Sequence, residues 1–407
     1  MPLDLDLDLN LDRQHIYTSR HNLIAERMST FVRTTESYQA GARTMPREYY
    51  ASPDVFAREQ EQVFARQWIC VGRARDFTEP GSYRLADISG ESLIVVRDRA
   101  GEIRAHYNVC RHRGTRLCTV PSGTLSETIQ CPYHAWTYRL DGRLIGAPHM
   151  IGTPDFSVGD YPLHSAHVGQ WEGFLFVNLG ANPEPIEQVF APLNSRFVRF
   201  NLPALTSVRR IEYQVRANWK LILQNYSECL HCPTIHPELT NKLPYTSGAN
   251  DLTEGPFLGG YMEIKAPHES ATMSGRACAI PLGELPDEDR TRAFYYTLFP
   301  TMMLSLHPDY AVYYTVTPRS VTESLVTCDW MVHPDAPATP GYNIGDAEEF
   351  WDRTNRQDWH ICEQSQLGVL SRMYSPGPYS PRESVPAAWD REYLRVMHDG
   401  KLGSDSI

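Results

Sequence analysis

Polar and apolar residues alternate in several short runs of this chain and recur at helical spacing in a few longer ones. Residues 82–87, 92–97 and 103–108 read as short strands separated by Gly and Asp, and 168–177 reads as a further strand pair. Residues 311–317 and 324–332 alternate in the same way, as strands of one antiparallel sheet. Helical spacing predicts a helix over 54–68, another from Asn218 that ends near Pro233, and a third over 350–368, closed by Gly368. Between 245 and 289 the pattern loosens and Gly and Pro are frequent, as expected of loops that wall or cover a pocket. Residues 3–12 alternate Leu with Asp like a strand, but the run is acidic and of low complexity, and is expected to be a disordered arm. Residues 13–47 are richer in Arg, Ser and Thr; the acidic start, Glu26 and Glu36 argue against a transit peptide.

A length of 407 residues suggests roughly two to three units of domain size. The net charge of -11 argues against nucleic-acid binding. No apolar run approaches the roughly twenty residues needed to cross a membrane. Nine unevenly spaced cysteines do not form an obvious disulfide framework, so a cytoplasmic location is expected.

Two loops carry the first chemical signal. Cys110-Arg-His112 is followed after eighteen residues by Cys131-Pro-Tyr-His134. Structural zinc usually takes Cys-x2-4-Cys pairs, and a plant-type ferredoxin centre takes four cysteines. One thiolate and one imidazole from each loop fit instead a Rieske two-iron, two-sulfur cluster, with Cys110 and Cys131 on one iron and His112 and His134 on the other. Neutral imidazoles in place of two thiolates raise the cluster potential. Gly114 and Pro132 suit tight loops whose N–H groups point at cluster sulfurs. Asp141-Gly142 reads as a hairpin turn.

The second signal is the stretch Asn218-Trp-Lys-Leu-Ile-Leu-Gln-Asn225-Tyr-Ser-Glu228-Cys-Leu-His231-Cys-Pro-Thr-Ile-His236. On a helix, Asn225, Glu228 and His231 share one face, and His236 returns just past the proline break. Two histidines and one carboxylate form a facial triad that holds Fe(II) and leaves positions open for dioxygen. A di-iron bundle site would need a second Glu-x2-His motif, which is not apparent. Cys229 and Cys232 could be half of a zinc site; small buried helix residues is the simpler reading.

Together these motifs resemble the Rieske non-haem iron oxygenases, in their large (alpha) subunit. The resemblance implies an α+β fold: an N-terminal arm over 1–45, partly disordered; an all-β Rieske domain with its leading helix over 46–165; and a helix-grip catalytic domain over 166–407, its antiparallel sheet covered by helices. It implies an oxygenase of the monooxygenase or dioxygenase type with two cofactors, the 2Fe-2S Rieske cluster and a mononuclear Fe(II). It also implies His231, His236 and Asp358 as ligands of that Fe(II), since Asp358 occupies the position of the third ligand in the late helix; Asp352 and Glu363 stay open as alternatives. Asn225 and Glu228 would be catalytic residues, with Glu228 linking His231 to His134 of a neighbouring subunit in a homotrimer. Many members, including ring-hydroxylating dioxygenases, have Asp at that place. Glu there, with Glu228-Cys-x-His-Cys and Trp351-Asp-x-Thr-Asn-x-Gln-Asp358, looks more like the branch that oxidises choline, glycine betaine and carnitine.

The expected activity is hydroxylation or oxidative N-demethylation of a small organic substrate, a quaternary ammonium compound on the closest resemblance. The alternatives are the alpha subunit of an aromatic-ring dioxygenase and a Rieske electron-transfer or redox-sensing protein. No Gly-x-Gly-x2-Gly loop occurs, so NADH or NADPH would act only through a separate reductase, with or without a ferredoxin. Phe257, Tyr261, Phe294, Tyr295, Tyr296, Tyr313 and Tyr314 could cage a trimethylammonium group. Ordinary strand packing explains the same rings.

Overall fold

Alternation becomes two antiparallel sheets and a small third one in the computed structural model, which describes residues 30–398. The acidic run at 3–12 lies outside the described residues. The largest sheet has eight strands among the described residues, in the spatial order Val32–Arg33, Ala249–Leu252, Phe257–Glu263, Arg292–Leu298, Met302–Leu306, Ala311–Ser320, Glu323–Val332 and Thr206–Val215. Its two faces follow the period of two. Along Ala311–Ser320, Val312, Tyr314 and Val316 join the core shared with the helices, whereas Ala311 and Tyr313 join a second core on the opposite face.

Three helices cover the first face. Helix α1, Trp219–Tyr226, starts at Asn218, whose side chain accepts the Lys220 N–H at 3.1 Å. Helix α2 spans Ile344–Val369 and α3 spans Ser384–Met397. Trp219, Ile222 and Leu223 of α1 pack with Trp359 and Cys362 of α2 and Trp389 of α3. A buried carboxylate fixes α1 in place. Glu59 accepts from Trp219 Nε1 at 2.9 Å, from Lys220 Nζ at 2.5 Å and from the Tyr393 hydroxyl at 2.5 Å. Such a pair repays its desolvation only because the remaining lone pairs are also satisfied. Gln366 ties α2 to the start of α1, accepting the Asn218 N–H at 2.7 Å.

The second sheet orders Ile69–Arg73, Phe174–Asn178, Ser165–Trp171, Ile103–Tyr107, Glu91–Arg97, Ser82–Ile88 and Ser122–Thr124. A three-stranded sheet, Thr128–Gln130, Thr137–Arg139 and Leu144–Gly146, packs beside it. No helix among the described residues is long and apolar enough to cross a membrane.

Three expectations are corrected. The strand pair at 168–177, expected to open the catalytic region, hydrogen-bonds into the seven-stranded sheet, with His106 opposite Ser165 and Arg73 opposite Phe174. The segment 245–289 is not loop throughout, since it supplies two strands of the large sheet. Gly259 and Gly260, read as loop signals, sit where strands approach closely: a Cβ on either would lie 2.0 Å from a carbonyl oxygen of the neighbouring strand. The helix from Asn218 stops at Tyr226, so Glu228 and His231 do not share a helical face with Asn225. The Ser227 hydroxyl bonds back to the Leu223 carbonyl at 2.6 Å, and the Glu228 carboxylate takes the N–H groups of Leu230 and His231. These local bonds replace the helical ladder.

Candidate metal centres and their pocket

Cys110 and His112 lie on a turn after the strand Ile103–Tyr107, and Cys131 and His134 on the turn that joins two strands of the small sheet. Gly114 adopts φ +75°, and its N–H reaches the Cys110 carbonyl at 3.0 Å. In the second loop Ala135 carries the left-handed residue at φ 56°, with Cys131 N–H bonded to the Trp136 carbonyl at 2.8 Å. Asp141-Gly142 forms the expected turn, with Gly142 at φ +90° and its N–H on the Arg139 carbonyl at 3.0 Å.

The four predicted cluster residues converge. His112 and His134 have ring centroids 4.8 Å apart, and His112 stacks on the buried Trp136 at 4.8 Å. The Tyr138 hydroxyl lies 3.3 Å from Cys110 Sγ and accepts the Arg111 N–H at 3.0 Å. Both thiols are buried and unbridged, and burial raises the Cys110 pKa. His134 Nδ1 is a buried nitrogen with no partner. Two thiols free of disulfides and an orphaned imidazole nitrogen fit a bound cluster, to which all three could serve as ligands.

His231, His236 and Asp358 converge at a second candidate centre, with one possible ligand atom from each lying within 4.8 Å of the others. Asp358 Oδ1 stands 2.8 Å from His236 Nε2 and 3.2 Å from His231 Nε2. The outer nitrogen of each ring is held as well. Glu228 Oε1 lies 2.5 Å from His231 Nδ1, and Gln357 Oε1 lies 2.8 Å from His236 Nδ1. Acceptors at both Nδ1 atoms turn both Nε2 atoms inward, the arrangement ligand histidines need. Burial disfavours charge at His231, but the Asp358 and Glu228 carboxylates override it and push its pKa up to about 10. Burial acts against the charged Asp358 too, yet bonds from both histidines hold its pKa low. Two imidazoles and one carboxylate suit Fe(II) with open positions.

The other two acids considered for this centre are engaged elsewhere. Asp352 accepts from the Tyr213 hydroxyl at 2.8 Å and from Arg356, and Glu363 pairs with Arg216 at 3.1 Å. Cys229 and Cys232, read as small buried helix residues, are joined by a disulfide; Cys232 is buried and opens the short helix Cys232–Ile235. Both lie beyond the end of α1, where the turn after Ser227 brings their thiols together.

A cavity of about 120 Å³ adjoins His231, His236 and Asp358. Asn225, Tyr226, Tyr295, Trp351 and Thr354 line it, with Tyr245, Tyr261 and Arg382 also on its walls. Of the seven rings named from the sequence, Tyr295 lines it; Tyr261 borders it, but its ring packs on Phe31 and Phe294 with the core on the opposite sheet face, where Phe257, Tyr296 and Tyr313 also lie, and Tyr314 is buried under the helices. Tyr226 and Trp351 were missed, although Trp351, Thr354 and Asp358 recur at helical spacing and so share a face of α2.

Comparison with known proteins shows the family. Residues 67–157 match the Rieske [2Fe-2S] domain, and residues 202–399 match the ring hydroxylating alpha subunit (catalytic domain). The chain belongs to the Rieske oxygenases, as the oxygenase component. It is 34% identical over 376 residues to the glycine betaine monooxygenase oxygenase subunit of Chromohalobacter salexigens, covering 84% of this chain and 82% of that protein. It is 30% identical to the subunit of the same description from Pseudomonas aeruginosa, covering 83% and 85%. The structure of a quaternary ammonium Rieske monooxygenase in complex with gamma-butyrobetaine superposes with a TM-score of 0.73 at 25% identity, covering 87% of this chain and 95% of that one.

Proposed function

We propose that this oxygenase component oxidises a carbon of a small quaternary ammonium compound, with Cys110, His112, Cys131 and His134 holding the Rieske cluster and His231, His236 and Asp358 holding Fe(II). The cluster would deliver electrons and the Fe(II) would activate dioxygen beside the substrate. The single observation that carries the substrate class is the wall over the iron ligands. Tyr226, Tyr295 and Trp351 line it, together with Glu228 and Asp358. Aromatic faces and nearby negative charge favour a desolvated cation over a neutral ring. Sequence similarity to glycine betaine monooxygenase subunits points the same way.

The protein's own groups then have defined tasks. Glu228 and Gln357 hold the Nδ1 protons of His231 and His236, which keeps both Nε2 lone pairs on the metal side. The rings exclude water from the reacting carbon. Dioxygen, two electrons and two protons give the hydroxylated product and water. Where that carbon is an N-methyl group, the hemiaminal breaks down to the demethylated amine and formaldehyde.

Electrons would come from NADH or NADPH through a separate reductase. The site also suggests a ring of subunits, a homotrimer, in which Glu228 faces His134 of a neighbour. Tyr133 beside His134 and Leu230 beside His231 are exposed apolar residues that such a contact would cover. Reconstitution with a reductase and NADH tests the function. Formaldehyde or hydroxylated product should appear with trimethylammonium compounds and not with naphthalene; dihydroxylated arene instead would refute it.

A further inference from the structure

Among the described residues lining the pocket, the one Lys or Arg side chain is that of Arg382. It sits on the short turn Pro381–Glu383, which is pinned at both ends. The Ser380 N–H donates to Glu383 Oε2 at 2.8 Å, and the Ser384 hydroxyl donates to the Thr34 carbonyl at 2.7 Å. The guanidinium is half-buried, 5.2 Å from the centroid of the Tyr245 ring, another pocket residue. That ring is its partner; among the described residues no carboxylate lies within ion-pair distance of it. The two acids of the pocket, Glu228 and Asp358, are committed to His231 and His236. A guanidinium resting on a ring is weakly hydrated and pre-oriented, with its fork of N–H donors free. Nearby, the Tyr295 hydroxyl and Thr297 Oγ1 are buried, without a partner, and line the same cavity.

We infer that Arg382 is the anion-binding end of this pocket, and that the substrate carries a carboxylate remote from the carbon that is oxidised. A carboxylate there takes two N–H bonds from the guanidinium and leaves the opposite end of the substrate against Tyr226, Tyr295 and Trp351. The extension to a zwitterion, an ammonium at one end and a carboxylate at the other, rests on the ammonium reading above; the anion site itself does not.

The test compares matched probes on the metal-loaded full-length protein and on Arg382→Ala and Arg382→Lys. Glycine betaine and gamma-butyrobetaine carry the carboxylate, and choline replaces it with a hydroxyl. Benzoate and benzyl alcohol form the same contrast without nitrogen. Equilibrium dialysis reads binding directly, and the visible spectrum of the cluster reports intact folding. Arg382→Ala should weaken every carboxylate that binds by roughly ten- to a hundredfold and leave its neutral counterpart unchanged. Arg382→Lys should fall between, since it keeps the charge and loses the fork. Equal loss for choline and glycine betaine, or no loss for either, overturns the anion site while the ammonium reading stands. Binding of benzoate alone, lost in Arg382→Ala, keeps the anion site and refutes the ammonium reading. A wild-type protein that binds no carboxylate at all overturns the inference. Should Arg382→Ala not accumulate, Arg382→Gln carries the same comparison.

Discussion

Glu228→Gln separates electron delivery from metal binding, and the local geometry sets its size. One carboxylate oxygen stands 2.5 Å from His231 Nδ1, and the other accepts the N–H groups of Leu230 and His231. Every one of these partners is a donor. An amide in the same place must turn its NH2 either toward the imidazole N–H or toward the two backbone N–H groups. One acceptor is therefore lost whichever way it lies. A hydrogen bond to a charged group contributes about 1.5–3 kcal/mol, which corresponds to roughly ten- to a hundredfold. Removal of an outer acceptor from a ligand histidine costs about as much in metal affinity or activity. Glu228→Gln should keep the cluster spectrum, and iron at saturating supply, yet turn over about ten to a hundred times more slowly. Stopped-flow reoxidation of the pre-reduced cluster, with substrate and oxygen present, measures the step directly. Wild-type reoxidation rates in Glu228→Gln would refute both the orienting role and the electron bridge. Glu228→Asp should retain part of the rate, since the charge survives.

Further substitutions divide the two centres. Cys110→Ser should abolish the visible chromophore, and Asp358→Ala should keep it while iron falls from about three to about two per chain by metal analysis. Loss of iron on Asp352→Ala instead, with Asp358→Ala normal, would move the third ligand. Asp390, fully buried and bonded to Gln224 and Tyr379, gives a pH signature, because burial raises its pKa to about 7. Its folded form holds the proton more tightly than the unfolded chain, so its contribution to stability falls as pH rises from about 4 to about 7 and is flat above. Melting temperatures of Asp390→Asn should lose that part of the slope; a slope unchanged from wild type would contradict it.

The residues that converge at both candidate centres could be picked out in the sequence because metal ligation restricts which atoms can serve. Cys110-x-His112 and Cys131-x2-His134 are local spacings, and a cluster tolerates few alternatives to them. His231 and His236 were legible for the same reason. The geometry between them was not, because helical periodicity was extended past Tyr226 into a segment governed by Glu228 side-chain bonds to its own backbone. Asp358 needed the family resemblance, since Asp352 and Glu363 lie on the same helix and only their long-range partners, Tyr213 and Arg216, set them apart. The pocket walls were harder still. Strand alternation shows that Phe294, Tyr295 and Tyr296 point to different faces, but not which face carries the iron. That depends on where α1 and α2 pack, through contacts such as Gln366 on the Asn218 N–H. Arg382 reaches the pocket from a turn more than a hundred residues from Glu228 in the chain, and no local pattern marks it.

An iron-edge anomalous crystal structure of the metal-loaded protein soaked with gamma-butyrobetaine brings both halves of the proposed function to one observation. The expected map has an anomalous peak among His231 Nε2, His236 Nε2 and Asp358, a second pair of peaks at Cys110, His112, Cys131 and His134, and the trimethylammonium group against Tyr226, Tyr295 and Trp351. Iron held by another carboxylate, or a pocket that leaves the ammonium compound out and accepts a flat arene over the same iron, would contradict it.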